Sequence, residues 1–187
     1  MNPILWMLIE TLGSLLASAC VLRAYAWRVH LNPQNPVSQF VAALTDWLVK
    51  PIGRLVKPTR AMDWPSAIAG LLVAILVGLL FYLLNGLPPN PGRVLLLALI
   101  WLVRWSLYLV MGILILMAVI SLINPYAPLA PALNQLSDPI LAPIRRVLPL
   151  VGNFDLSPLV AILLIQVLLY LVHPGVIPTL LGAAAAR

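Results

Sequence analysis

The chain has 187 residues, of which 63% are hydrophobic and only 9% are charged, and its mean hydropathy is +1.05. Soluble domains carry about a quarter charged residues, so this composition excludes a water-soluble fold and indicates an integral membrane protein. The net charge of +6 fits membrane orientation better than nucleic-acid binding, and the single cysteine excludes an intramolecular disulfide and any multi-thiolate metal site.

Four apolar stretches are candidates for membrane-spanning helices, which need about 20 mostly apolar residues. They are residues 4–27, 66–84, 94–123 and 159–172, and a continuation of the last one toward residue 181 is left open. Glu10 lies in the first stretch and no basic region precedes it, so we expect a retained span there and not a cleaved signal peptide. The sequence therefore predicts an all-α membrane protein with four transmembrane helices.

The segment that follows the first span contains a residue pattern that returns 92 residues later without a gap. The recurring residues are Asn32, Pro33, Asp46, Pro51 and Asp63, which return as Asn124, Pro125, Asp138, Pro143 and Asp155, while Pro139 is specific to the second copy. A fixed period indicates two copies of one structural unit. We expect repeat 1 at residues 1–92 and repeat 2 at residues 93–187, each with two spans and one interfacial helix.

Each long segment between spans begins with Asn-Pro-x-x-Pro, which favours a turn. An amphipathic helix is expected next, with one apolar face and one polar face. In the first copy the apolar face holds Val37, Phe40, Val41, Leu44 and Leu48, and the polar face holds Ser38, Gln39, Thr45 and Asp46. We expect this helix to lie in the headgroup region.

Proline and aspartate are expected to mark where these helices end and the next spans begin. Proline interrupts a helix, so the interfacial helices should break at Pro51 in the first copy and at Pro139 and Pro143 in the second. Asp63 and Asp155 precede the second span of each pair and are expected to cap it at its amino end.

Lysine and arginine set the expected orientation. The two long segments contain seven of them, namely Arg28, Lys50, Arg54, Lys57, Arg60, Arg145 and Arg146, while the segments on the other side of the spans contain two, Arg93 and Arg187. The positive-inside rule then places both long segments in the cytoplasm and both termini in the periplasm. Because each repeat has two spans, the repeats should be parallel. Arg54, Lys57, Arg60, Arg145 and Arg146 are candidate contacts for anionic lipid headgroups or for partner proteins.

Three charged residues lie within the apolar stretches. Glu10 and Arg104 are within about one helical turn of the same depth if the repeats are parallel, so we predict an ion pair between them across the repeat interface, because a lone charge in the membrane is costly. Such a pair would either fix how the repeats pack or form a polar site for an ion. Arg23 lies near the cytoplasmic end of its span and is expected to act as a snorkelling anchor.

The second copy carries a specific residue string: Asn-Pro, then Leu-Ser-Asp-Pro-Ile-Leu-x-Pro-Ile-Arg-Arg-Val-Leu-Pro, then Asp-Leu-Ser-Pro-Leu-Val, within residues 124–160. This string resembles the YggT family of small bacterial membrane proteins, and residues 32–66 are similar to it as a more diverged first copy. The resemblance implies an inner-membrane protein without an established biochemical activity, linked to osmotic tolerance and cation homeostasis. Relatives occur near cell-division genes, and plastid relatives take part in attaching haem to a cytochrome b. No catalytic residues follow from the resemblance.

The sequence contains no phosphate-cradling glycine motif, no His-Glu-x-x-His and no paired carboxylates, so we do not expect an enzyme or a bound cofactor. We expect a protein that assists or organises other membrane components, through contacts with other membrane proteins or with itself. Two alternatives stay open: a small oligomeric transporter or channel component for cations, and an assembly factor for a haem-containing cytochrome. His30 and His173 should lie on opposite sides of the membrane, so one chain cannot ligate a haem with both.

Overall fold

The computed structural model describes residues 3–124, 126–147 and 155–173. Within these residues the regular secondary structure is helical. The helices are α1 (Pro3–Arg28), α2 (Pro36–Leu55), α3 (Trp64–Leu84), α4 (Pro91–Ile123), α5 (Ala130–Val147) and α6 (Ser157–Leu171). The chain divides into two compact units, Met1–Ser106 and Leu107–Arg187, with the boundary inside α4.

Three of the described helices, α1, α3 and α4, are long and apolar enough to cross a membrane, with 26, 21 and 33 residues. This confirms the prediction of apolar helices of membrane-spanning length at these three places. Helix α6 is apolar but has 15 described residues, and its expected continuation toward residue 181 lies outside the described part of the chain. The four-span arrangement and its parallel repeats therefore stay a prediction.

In the first unit, α1 and α3 pack closely because small residues lie between them. A Cβ atom on Gly13 would overlap the Val77 side chain, and a Cβ atom on Gly70 would lie 3.4 Å from Cys20 Cβ. The two contacts run in opposite sequence order, so the helices are antiparallel. Small residues let helix backbones approach within a membrane, and Gly13 and Gly70 serve this packing role here.

Aromatic rings fill the part of the first unit where α1 begins and α3 ends. The ring of Trp101 lies 5.7 Å from the rings of both Trp6 and Phe81, and it stacks on Trp105 at 6.0 Å between ring centroids. Both Trp101 and Trp105 are buried. Since such ring pairs add to the stabilisation from burial, these tryptophans form part of the core of this unit.

The expected helix breaks at proline are wrong. Helix α2 continues through Pro51 to Leu55, and α5 continues through Pro139 and Pro143. A proline removes one backbone hydrogen bond and costs about 3 kcal/mol inside a helix. Packing on both sides of Pro51 outweighs this cost, because Val49 is buried before it and Ile52 packs against the same core after it.

The faces of α2 also differ from the expected ones. Thr45, which we expected on the polar face, is completely buried. The buried side consists of Val41, Thr45 and Val49, and a separate apolar stripe of Phe40, Leu44 and Trp47 is exposed. The apolar pattern therefore predicted the helix correctly, but it did not separate the side that packs on the unit from the side that stays outside.

The second unit is built on α5 and α6. Helix α5 buries Leu133, Leu136 and Leu141, while α6 buries Ala161 and Ile165. The exposed side of α5 carries polar residues and prolines, among them Asn134, Gln135, Asp138 and Pro139. Helix α5 thus has no counterpart of the exposed apolar stripe on α2.

Candidate functional site: a repeated aspartate–arginine bridge

Each long segment starts with the same side-chain-stabilised turn. Asn32 Oδ1 accepts a hydrogen bond from the Gln34 amide at 2.9 Å, and Asn124 Oδ1 accepts one from the Tyr126 amide at 3.1 Å. Asparagine favours this turn because its side chain reaches the backbone two residues ahead. The predicted turns are confirmed, and in the first copy Asn35 then caps α2 by accepting from the Val37 amide at 3.0 Å.

In the first unit, an arginine from α1 binds two aspartates from other elements. Arg23 Nη1 donates to Asp46 Oδ1 on α2 at 2.7 Å and to Thr45 Oγ1 at 3.0 Å. Arg23 Nε lies 3.8 Å from Asp63 Oδ2 at the start of α3, and Lys50 Nζ lies 2.7 Å from Asp46 Oδ2. We call Asp46, Arg23 and Asp63 the first bridge. It holds helix α2 against α1 and α3.

Asp63 is buried, with 6% of its surface exposed, at the N-cap position of α3. Its carboxylate does not cap the helix through a backbone amide, so that part of the prediction is wrong. It instead accepts a hydrogen bond from the Ser66 hydroxyl. Burial explains the difference, because a carboxylate away from water needs a cation and close donors, and Arg23 and Ser66 provide them.

In the second unit, the arginine comes from α5, the helix that also carries the first aspartate. Arg145 Nη1 donates to Asp138 Oδ1 at 3.0 Å, and Arg145 Nε donates to Asp155 Oδ2 at 2.9 Å. Asp155 Oδ1 also accepts from the Ser157 amide at 2.9 Å, but the N-cap residue of α6 is Leu156 and no side chain caps the helix, so the expected N-cap role of Asp155 is wrong. We call Asp138, Arg145 and Asp155 the second bridge. It joins α5 to the start of α6.

The two bridges use equivalent aspartates but different arginines. The position equivalent to Arg145 in the first copy is Gly53, and the position equivalent to Arg23 in the second copy is Ile115. The interpretation of Arg23 as a snorkelling anchor missed its bond to Asp46. The sequence contained a signal for this bond. Both aspartates occur in both copies, but the first copy has glycine where the second copy has the arginine, which pointed to a cation from elsewhere in the chain.

The bridges change the acidity of their carboxylates. Hydrogen bonds from Lys50 and Arg23 hold the pKa of Asp46 below its ordinary value of 3.8. Burial acts to raise the pKa of Asp155, but hydrogen bonds from Ser157 and Arg145 outweigh it, and the pKa is lowered. Both carboxyl groups lie outside the helices of membrane-spanning length, and in both the surroundings favour the charged carboxylate.

This acidity predicts loss of stability in acid. A carboxylate whose pKa is lower in the folded state contributes stability above its unfolded pKa and loses it as the pH falls through the folded pKa. We expect the thermal unfolding midpoint in detergent to stay level from pH 7 to about pH 5 and to drop below about pH 4. Asp46→Asn should weaken this acid dependence, and an unchanged pH profile in that variant would contradict the assignment.

The other predicted contact residues lie in different surroundings. Arg54 lines a cavity beside α2, while Lys57, Arg60 and Arg146 are exposed. Because Arg145 is engaged by two aspartates, it is less available to a partner than expected, and Arg146 is the freer basic residue of that pair.

The ion pairs among the described residues do not include Glu10 with Arg104. Both side chains are half-buried, and the Nε atom of Arg104 is buried without a hydrogen-bond partner. Since a buried donor without a partner is costly, a carboxylate remains a suitable partner for it. The Glu10–Arg104 pair stays a prediction.

Among residues 3–124, 126–147 and 155–173, no group of three or more histidine, cysteine, aspartate or glutamate side chains is placed to hold a metal ion. The bridges pair carboxylates with guanidinium groups, which stabilises their charged form. Their chemistry is therefore that of structural ion pairs that fix two helices.

Comparison with known proteins agrees with this residue pattern. The family model described as CCB3/YggT matches two segments of the chain, residues 1–84 and 96–176. No solved structure shows a significant match. The two matched segments contain the first and second bridges respectively.

Individual relatives match along most of their length. The chain is 30% identical over 171 residues to the uncharacterized protein YggT of Escherichia coli strain K12, which covers 90% of this chain and 87% of the relative. It is 31% identical over 167 residues to an uncharacterized protein of Pseudomonas aeruginosa, covering 86% and 84% of the two chains. An uncharacterized protein of Haemophilus influenzae is 28% identical over 158 residues, or 84% of each chain. With a family model that matches both halves and relatives that align over most of the chain, this protein belongs to the CCB3/YggT family.

Proposed function

We propose that this protein is a non-enzymatic, multi-pass protein of the bacterial inner membrane that assists or organises other membrane proteins. Four spans in two parallel repeats, with both long segments in the cytoplasm, are the arrangement that fits the distribution of basic residues. Three apolar helices of spanning length and the two family-model matches support it. The partner would bind at the cytoplasmic surface of the membrane.

The observation that carries this proposal is the exposed apolar stripe of α2. Phe40, Leu44 and Trp47 are 65%, 45% and 64% exposed, on a helix that the first bridge fixes from another side. Aromatic residues are enriched in protein contacts, and exposed apolar patches mark interaction sites. At the interfacial depth, such a stripe is placed to contact the flank of a neighbouring membrane protein.

The stripe belongs to the first repeat alone. Ala132 and Leu136, the equivalents of Phe40 and Leu44, are buried, and Pro139 stands in the place of Trp47. At these positions α5 therefore has two buried apolar residues and a proline, where α2 has an exposed apolar stripe. This difference supports a partner that is bound by the first repeat.

Site-specific crosslinking from each side of the membrane tests the partner and the orientation together. The background is Cys20→Ser with Ala43→Cys, because Ala43 is exposed on α2 next to the stripe. A membrane-impermeant thiol-reactive photocrosslinker is applied to inside-out vesicles and to intact spheroplasts. We expect an adduct with one defined membrane protein in inside-out vesicles only. Phe40→Ser combined with Trp47→Ser should lower its yield by about tenfold, as for aromatic hot spots.

The matched control changes two equally exposed residues on a membrane span. Leu12 and Leu15 of α1 are 67% and 64% exposed, and their replacement by serine should leave the adduct unchanged. Equal loss in both double variants would contradict a specific role of the stripe. An adduct formed in spheroplasts would contradict the orientation. An adduct with only a second copy of this chain would contradict the proposal that the partner is a different membrane protein.

A further inference from the structure

The first unit contains a partly open cavity of about 500 Å³ between the end of α1, helix α2 and the start of α3. Its wall is mostly apolar and includes Leu22, Val37, Val41 and Val49. This volume lies in the range of small-molecule sites, which combine apolar walls with a few polar groups. The cavity can therefore accommodate a molecule with an apolar part.

The same cavity has an excess of positive charge. Arg23, Lys50 and Arg54 line it together with the carboxylate of Asp63. Arg23 and Lys50 are already engaged by Asp46, and Arg23 also lies beside Asp63. Arg54 forms no ion pair with any residue that the structure describes. One guanidinium group thus remains at the cavity without a counter-charge.

The position of the cavity indicates what would fill it. Helix α1 ends at Arg28 and α3 begins at Trp64, so the cavity lies at the ends of two membrane helices, at the depth where lipid headgroups meet the hydrocarbon. Guanidinium groups bind phosphate through paired hydrogen bonds. We propose that this cavity binds one anionic phospholipid, with its acyl chain against the wall of α1 and α2 and its phosphate at Arg54.

Native mass spectrometry of the full chain in detergent tests the site, with phosphatidylglycerol and the zwitterionic phosphatidylcholine titrated in parallel. We expect the protein to retain phosphatidylglycerol in preference. Arg54→Gln should weaken phosphatidylglycerol binding by about fivefold, the effect of one basic residue at an anionic membrane surface, and weaken phosphatidylcholine binding by less, because the choline cation offsets the phosphate charge. The control is Lys57→Gln. It removes the same charge three residues after Arg54, at a residue that does not line the cavity.

A second pair of variants tests the cavity itself. Ala42 lines it and Ala43 does not, so Ala42→Phe should remove phospholipid binding while Ala43→Phe should bind as the unchanged protein does. Equal binding by Arg54→Gln and Lys57→Gln, or wild-type binding by a folded Ala42→Phe variant, would overturn the proposal. Glycerol phosphate carries the headgroup charge without acyl chains, and displacement of the lipid by an equal concentration of it would show an anion site instead.

Discussion

Replacement of Arg23 by methionine is expected to destabilise the protein by about 2 kcal/mol, within the range for hydrogen bonds to charged groups. Asp46 would keep Lys50 as a partner and is partly exposed, so its share of the loss is small. The larger share comes from Asp63, which is buried and would keep only the Ser66 hydroxyl. Titration with sodium dodecyl sulfate, followed by helix content, measures this free energy.

Arg28→Met is the matched control for this variant. Arg28 lies in the last turn of the same helix, is exposed, and forms no ion pair within the described residues. We expect it to change stability by less than about 1 kcal/mol, the size of the interaction between a terminal cation and the helix dipole. Equal losses in the two variants would show that the first bridge contributes nothing beyond ordinary surface charge.

The sequence predicted well the features that depend on neighbouring residues. The expected stretches 4–27, 66–84 and 94–123 correspond to α1, α3 and α4 with ends shifted by three residues or fewer. The two Asn-Pro turns are also present. Apolar length and turn chemistry act locally, so they can be read from a window of about 20 residues.

The features that the sequence predicted poorly depend on contacts between distant residues. Arg23 and Asp46 are separated by 23 residues, and no pattern within α1 indicates that its arginine points toward α2. The break expected at Pro51 follows from a local rule that packing on both sides of the proline overrides. Thr45 has a polar side chain but is buried, because it donates to Val41 O and accepts from Arg23.

The two bridges show how one function of a repeated unit is retained while the residues change. Asp46 and Asp138 lie on α2 and α5, and Asp63 and Asp155 precede the next helices. A cation between the members of each pair attracts both carboxylates, whichever helix provides it. The role of the bridge therefore depends on where the guanidinium lies and not on which residue carries it.

We therefore expect that the first bridge can be rebuilt with an arginine at a different position. Gly53 lies seven residues after Asp46, as Arg145 lies seven residues after Asp138. A Cβ atom on Gly53 would meet Pro65 at 3.9 Å, an ordinary van der Waals distance close in sequence to Asp63. Gly53→Arg in the Arg23→Met background should therefore rebuild the first bridge in the form used by the second, and recover more than half of the lost stability.

Replacement of a helical glycine stabilises the helix by itself, by about 1 kcal/mol at most, because glycine has a low helix propensity. Gly53→Gln in the same Arg23→Met background provides the control, since it adds a long polar side chain without a charge. The deciding measurement is the free energy of unfolding of Arg23→Met with Gly53→Arg against that of Arg23→Met with Gly53→Gln. We expect the arginine variant to be more stable by about 1 kcal/mol or more at pH 7 and to lose that advantage below about pH 4. Equal stability of the two variants at pH 7 would contradict the account that both repeats depend on the same aspartate–arginine bridge.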